Sequence, residues 1–356
     1  MITLGLSLNA KIISACLFIE EEFIALESEQ NDKLASATVK LPITSIKRCL
    51  QIGGINFKQI DKIVISDLFN QDFKYSYDFL LSIKSPLLKR KAHNVLLNHH
   101  QRNVIDKKLK NTFLEACYLP KYRITYSSPS ECINYYTFCA SGFDSAAFFN
   151  VSNNINYFTQ ELGIINEDKI KVIEKQSITQ SLSYFYRVFT YYMGFDNLEE
   201  KFLHISKETD PIYQDKIFEL LIKVGKAKYL LNPKYFNINP DNMVAEYIGD
   251  HDINTFINNQ NFETLFGSKR IKQTIISSED VSLIASFVKV YKQVIYELLE
   301  YLQNETSSNE LCMNTNFYGL INERQIIDNT SFERVYIGNY KEMQEDIAMG
   351  AAMLYL

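Results

Sequence analysis

The chain has 356 residues, 46% of them hydrophobic and 22% charged, with a net charge of −5. That length supports one large or two medium domains, at roughly 100–200 residues each, with a sizeable core. The acidic balance argues against a basic nucleic-acid footprint, and no apolar run reaches the roughly 18 residues of a membrane span.

The first residues, MITLGLSLNAKIISACLFI, contain polar side chains and no basic n-region, so they do not read as a signal peptide. Six cysteines at 16, 49, 117, 132, 139 and 312 are scattered without a C-x-x-C pair, which suits reduced thiols in a cytoplasmic protein. The basic run Lys89-Arg90-Lys91, with Arg102, Lys107, Lys108 and Lys110, reads as a local solvated face.

Residues 2–7, 12–20 and 22–27 read as strands, the last two joined by a tight turn at Glu20-Glu21. Residues 42–52 form a short helix with Thr44 and Ser45 near its start, stopped by Gly53-Gly54. Residues 62–66 are a buried strand. The stretch 68–111 is irregular, with helical pieces and the chain's one histidine cluster, His93, His99 and His100. Residues 113–118 close a helix and 123–126 form a strand. Pro129 suits the first position of a helix over 130–140.

The pattern then restarts, with strands at 145–151, 155–162 and 170–175 before a helix at 181–193. Apolar residues at 182, 185, 188, 189, 192 and 193 make one helical stripe, the mark of a core helix, and Gly194 can end it at positive φ. Residues 212–270 read as an insertion that begins with a helix over 213–226. A long amphipathic helix spans 278–303, with Ser278 as its N-cap and Glu279-Asp280 at its positive end. Buried strands at 310–313 and 334–337 precede a terminal helix over 341–356. Its small residues Ala348, Gly350, Ala351 and Ala352 permit close approach. Two starts of strand-strand-strand-helix predict an α/β protein with a two-lobed actin-like ATPase fold, a duplicated ribonuclease-H-like half. The lobes are 1–142 and 143–356, the second carrying the insertion at about 212–270.

The order S-L-x-x-x-Y-x-x-F-T-Y-Y-x-G-F over 181–195, followed by a lysine and a polar turn before Asp210-Pro211, resembles the O-carbamoyltransferase family that tailors nodulation factors and antibiotics. The resemblance covers nearly the whole chain and implies the first, actin-like domain of that family, close to the tRNA threonylcarbamoyl-transfer enzymes. In the family a second domain makes carbamoyl-adenylate from carbamoyl phosphate and ATP. The first domain passes the carbamoyl group to an acceptor hydroxyl. No adenylate-forming second domain is expected in this chain.

The family's site motifs are altered at the matching positions. A His-Asp-Ser-Ala-like turn is matched by Lys11, Ile12, Ser14 and Ala15, and an acidic strand end by Glu27, Glu29 and Gln30. The segment H-H-x-S-H-A, suited to metal binding and proton transfer, is matched by residues 127–132. Ser128 and Glu131 are the candidate catalytic positions there, and Ser130 is the residue kept. An Asp-Gly phosphate turn is matched by Ser152 and Asn153, and a Gly-Gly nucleotide turn by Thr315 and Asn316. A Cβ at such a turn obstructs the approach of phosphate. The segment G-L-A-P-Y-G is matched by residues 204–209, where His204 reads as structural. The late G-D-x-G is matched by residues 343–346, with Gln344 at the metal position and Glu345 or Asp346 one or two residues away.

His93 and His100 stand two helical turns apart, but no acid or cysteine at H-E-x-x-H spacing supports a zinc site. Neither a G-x-x-x-x-G-K-[ST] loop nor a G-x-G-x-x-G nor a G-x-S-x-G elbow is present. What survives of the family is hydrophobic framework, and what changes is the group of residues that act as a unit in catalysis. The expectation is a catalytically degenerate subunit that pairs with an active carbamoyltransferase homologue and carries no cofactor. The alternative is a divergent O-carbamoyltransferase, which would use ATP or carbamoyl-adenylate with Mg or Fe. No nucleic-acid or membrane partner is expected.

Overall fold

The computed structural model describes residues 1–8, 12–31, 40–66, 84–87, 89, 102–113, 124–151, 158–166, 169–195, 200–207, 209–239, 253–271, 275–315, 320–338 and 343–356. The chain divides into two compact units, Met1–Gly142 with Asn339–Leu356, and Phe143–Gly338.

In the first unit, β1 (Ile2–Ser7), β2 (Ile12–Ile19) and β3 (Glu22–Gln30) form an antiparallel meander. The two-residue turn is at Glu20-Glu21, as the alternation predicts, and both residues take positive φ (52° and 72°). Such a turn follows the twist of a hairpin but suits Asn-Gly far better than Glu-Glu. Helix α1 (Ile43–Ile52) leads to β4 (Lys62–Ser66), and α2 (Arg102–Phe113) precedes β5 (Ile124–Ser127). Strands β1, β4 and β5 are parallel, giving the order β3-β2-β1-β4-β5. Helix α3 (Pro129–Ser141) follows, with Pro129 at its first position and Gly142 ending it at φ 66°. One sheet face buries Leu4, Leu6, Leu17, Ile63 and Ile65 against α1 and α2.

The second unit repeats the plan. Strands β6 (Ser145–Val151), β7 (Phe158–Asn166) and β8 (Lys169–Ser177) make the meander. Then come α4 (Leu182–Tyr192), α5 (Glu200–Ile205) and α6 (Gln214–Phe218). Of the helix expected over 213–226 only α6 forms, and a hairpin, β9 (Leu221–Gly225) and β10 (Lys228–Leu231), takes over from residue 221. The physical reason is local. Tyr229 and Leu231 are buried while Lys228 and Leu230 are less so, a period of two, and Ala227 turns at φ 51°. Helix α7 (Asn259–Phe266) and the long α8 (Ser278–Thr306) follow. Ser277, one residue earlier than expected, caps α8, because Asp280 lies three residues on and returns a bond to its N–H (2.8 Å). Strand β11 (Glu310–Asn314), α9 (Glu323–Asn329) and β12 (Arg334–Ile337) complete the order β12-β11-β6-β7-β8. The two sheets thus share one order and one set of directions, the duplicated α/β plan of ribonuclease-H-like and actin-like ATPase folds.

The core of the second unit is aromatic. Phe189 of α4 stacks on Phe287 of α8, with centroids 4.1 Å apart and planes at 3°. Phe185 and Tyr186 also meet Phe287 and Tyr291, while Tyr192 meets Phe262 of α7. The insertion is therefore anchored on the helix whose stripe is legible in the sequence.

The terminal helix α10 (Met343–Met353) belongs to the first unit, a correction to the expected lobe 143–356. It covers the second face of that sheet, with Ala348 and Ala352 against Cys16 and Phe18, and Ile347 and Ala351 against Val64 and Cys132. A Cβ on Gly5 of β1 would overlap the Ala348 carbonyl, and a Cβ on Gly350 would overlap the Cys132 carbonyl.

Two stability outcomes follow. Gly350→Ala is expected to lower unfolding free energy by at least about 2–3 kcal/mol in urea titration, because backbone must move. Replacing Glu20-Glu21 by Asn-Gly is expected to stabilise the chain by about 1 kcal/mol in the same measurement, by relieving two left-handed side-chain-bearing residues.

Candidate functional site

In open α/β sheets the carboxyl ends of parallel strands are where ligands are received. At those ends the first sheet carries a row of five serines in register: Ser28, Ser14, Ser7, Ser66 and Ser127, one from each of β3, β2, β1, β4 and β5. Paired residues share a face, and this face is the one under α10 and α3. All but the half-buried Ser28 are buried.

Carboxylates close the row at both ends. Ser28 Oγ donates to Glu345 Oε1 (2.7 Å) and shares a hydrogen bond with Ser14 Oγ (2.9 Å). At the other end Ser127 Oγ donates to Glu131 Oε2. Ser66 Oγ, between them, makes no hydrogen bond among the described residues, although it lies in the neighbourhood of the Cys132 thiol. Asp346, beside Glu345 in the first turn of α10, is buried.

The predicted pair Ser128 and Glu131 does meet here. Ser128 is the N-cap of α3, and its Oγ accepts the Glu131 N–H (3.1 Å). Glu131 sits in the first turn, where a carboxylate is favoured by the helix dipole. Cys132, fully enclosed one residue on, has its thiol pushed up to about 12. Burial is the main cause, opposed by the nearby Ser127 and Ser66 hydroxyls and reinforced by the Glu131 charge. Burial likewise raises Cys49 to about 12, with the Glu27 charge adding to it.

The second sheet carries a matching polar row, Asn314, Asn150, Glu161 and Lys175, across β11, β6, β7 and β8. Lys175 Nζ pairs with Glu161 Oε1 at 3.0 Å. Thr315 directly follows that row and is buried. Ser152, Asn153 and Asn316 lie outside the described residues, as do His93, His99 and His100. Gln344 falls in the first turn of α10, next to the Glu345 that takes up Ser28. His204 is exposed at the end of α5. The serine row was missed in reading the sequence because register is invisible there. Its one linear trace is a serine closing each of β1, β4 and β5.

The family resemblance implies a nucleotide and a metal. A hard metal ion asks for several converging oxygen ligands. Among the described residues no group of three His, Cys, Asp or Glu side chains could hold one. Glu131 and Glu345 are each taken up by a serine hydroxyl. A phosphate at the start of α3 would meet the Glu131 carboxylate, and the Glu131 N–H is already given to Ser128. The described row fits neither group.

The sequence pattern described as the carbamoyltransferase N-terminus matches residues 15–353. The chain belongs to that family. A curated, uncharacterized protein of Synechocystis sp. is 22% identical over 326 residues, which cover 87% of this chain and 49% of the relative. The chain thus spans about half the length of the curated relative it matches. Among solved structures, component A of (R)-2-hydroxyglutaryl-CoA dehydratase from Acidaminococcus fermentans is 10% identical, with 99% of this chain and 97% of that one covered and a TM-score of 0.45. The ROK hexokinase of Thermus thermophilus is 11% identical, with 99% and 98% covered and a TM-score of 0.45. Among the described residues no helix of this carbamoyltransferase-family chain is long and apolar enough to cross a membrane.

The cap and the thiols give a joint expectation. Ser128→Ala should cost about 1 kcal/mol in denaturant unfolding. Cys132 and Cys49 should resist alkylation in the native protein at pH 8.5 and react once unfolded, read by mass spectrometry. Their raised folded values stabilise the fold fully below the unfolded thiol value of about 8.5, and that contribution is lost as pH rises from there toward 12.

Proposed function

We propose that this chain is a catalytically degenerate member of the carbamoyltransferase family that pairs with an active homologue, stabilising it or gating its acceptor. The observation that carries the reading is the closed cap at the start of α3. Ser128 and Glu131 stand where the family places its histidine-rich segment. Here the serine hydroxyl caps the start of the helix and the carboxylate takes the Ser127 hydroxyl. Both side chains are engaged in holding the local structure. The framework around them, from the aromatic α4 to the small-residue α10, is that of a well-formed fold.

A second reading is a divergent O-carbamoyltransferase half that receives carbamoyl-adenylate from another protein. The observation favouring it is Ser66, a buried hydroxyl that makes no hydrogen bond among the described residues, in a row at the carboxyl end of the sheet. In that reaction the acceptor oxygen would bond to the carbamoyl carbon, AMP would leave, and the acceptor proton would pass to a base. Glu131 is the carboxylate in place beside the row, and Thr315 and Gln344 are the further candidates by position.

The two readings separate in one set of measurements. The chain is co-expressed with a full-length carbamoyltransferase from the same genome, and the complex is assayed for carbamoyl transfer. The first reading expects a stable complex, carbamoyl transfer by that complex, and no ATP binding by isothermal titration of this chain alone. Carbamoyl transfer from carbamoyl-adenylate by this chain alone would overturn it in favour of the second.

A further inference from the structure

The second unit contains an open groove of about 1350 Å³ along the outer side of α8, bounded by the β9–β10 hairpin, by α9 and by the turn after α5. Its two ends differ in charge. Lys289 and Lys292 line one end, and Lys207, next to the lining residue Ser206, lies near enough to act on the charge of Lys292. Glu297, Glu300 and Glu305 line the other end, and Lys223 and Lys226 of the hairpin also line the groove.

Two of the acids are provided for locally. Glu297 Oε2 accepts from Lys223 Nζ (2.8 Å) and Tyr229 Oη (2.6 Å), and Glu300 Oε1 accepts from the Ser331 N–H (2.6 Å). The lysines are not. Among the described residues none of the three pairs with a carboxylate, and Lys292 Nζ donates only a long bond to the neutral Gln325 (3.4 Å). Half-burial of Lys292 depresses its basicity, and the Lys207 and Lys289 charges depress it further. Two like charges lining a concave surface, with a third close by, repel one another unless an anion joins them.

We propose that Lys207, Lys289 and Lys292 form a binding site for the phosphate group of a compact small molecule at this end of the groove. Phosphate suits a group of neighbouring ammonium donors, which act on it as point charges. The ligand is compact because the basic end is short. Glu300 is eight residues beyond Lys292 on α8, roughly 12 Å at helical rise, so a nucleic-acid backbone continuing along the groove would run into carboxylates. The remaining groove, with Tyr296 and Tyr301 in its wall, is left for the uncharged part of the molecule. The site goes beyond the pairing proposed above and does not rest on it.

The test is calorimetric titration of the full chain with inorganic phosphate and with pyrophosphate at constant ionic strength. Saturable binding is expected, weakened at least tenfold in the Lys289→Gln/Lys292→Gln double variant and unchanged in Lys223→Gln, all with unaltered melting temperatures. Should the double variant unfold, acetylation of Lys292 in the unmodified chain, followed by mass spectrometry, gives the same answer, and phosphate is expected to slow it severalfold. Absence of saturable binding, or equal binding by a folded double variant, would overturn the site. Phosphate that leaves Lys292 acetylation unchanged would overturn it too. Tighter binding of a single-stranded oligonucleotide through the same lysines would overturn the compact ligand.

Discussion

The first unit depends on how closely α10 approaches its neighbours. Gly350 lies against the Cys132 carbonyl and Gly5 against the Ala348 carbonyl, so helix, sheet and α3 meet backbone to backbone. Glycine at both points is the condition for that approach, since any Cβ would force the backbones apart. The consequence reaches the polar row. With α10 seated this low, Glu345 comes to Ser28 at one end of the serines, while α3 brings Glu131 to Ser127 at the other.

The row itself is a compromise between burial and polarity. Hydroxyls are the smallest polar groups that can sit under two helices, and buried polar atoms cost free energy unless bonded. Ser14, Ser28 and Ser127 are bonded to one another or to carboxylates, and Ser66 is the exception. Where family relatives are expected to present histidines, acids and glycines, this chain presents side chains that satisfy each other. The second unit solves its burial problem differently, by interlocking aromatic rings of α4, α7 and α8. There the tyrosine hydroxyls reach backbone carbonyls, as Tyr291 does with Leu182.

Much of this plan was legible residue by residue. The strands at 2–7, 62–66, 145–151 and 334–337, the Glu20-Glu21 turn, the Pro129 start and the aromatic stripe all follow from periodicity and local backbone preference. The first strand of the hairpin, Leu221–Gly225, was misread as the end of a helix because its apolar residues admit either period, and Ala227 gives little sign of positive φ. Of the candidate site, Ser128 and Glu131 were found through their place in a motif. The alignment of Ser127 and Ser14 with the other serines was not, because the five come from five strands spread over 120 residues of chain.

Local pattern therefore established the elements, their repetition and the family, since these rest on short-range spacing and on the order of segments. Three features arose from contacts distant in sequence: the return of α10 to the first unit, the alignment of the polar rows and the gathering of Lys207 with Lys289 and Lys292. No local spacing encodes them. Strand register and helix docking are settled by how side chains from remote segments fit together, and that fit exists only once the sheets have formed.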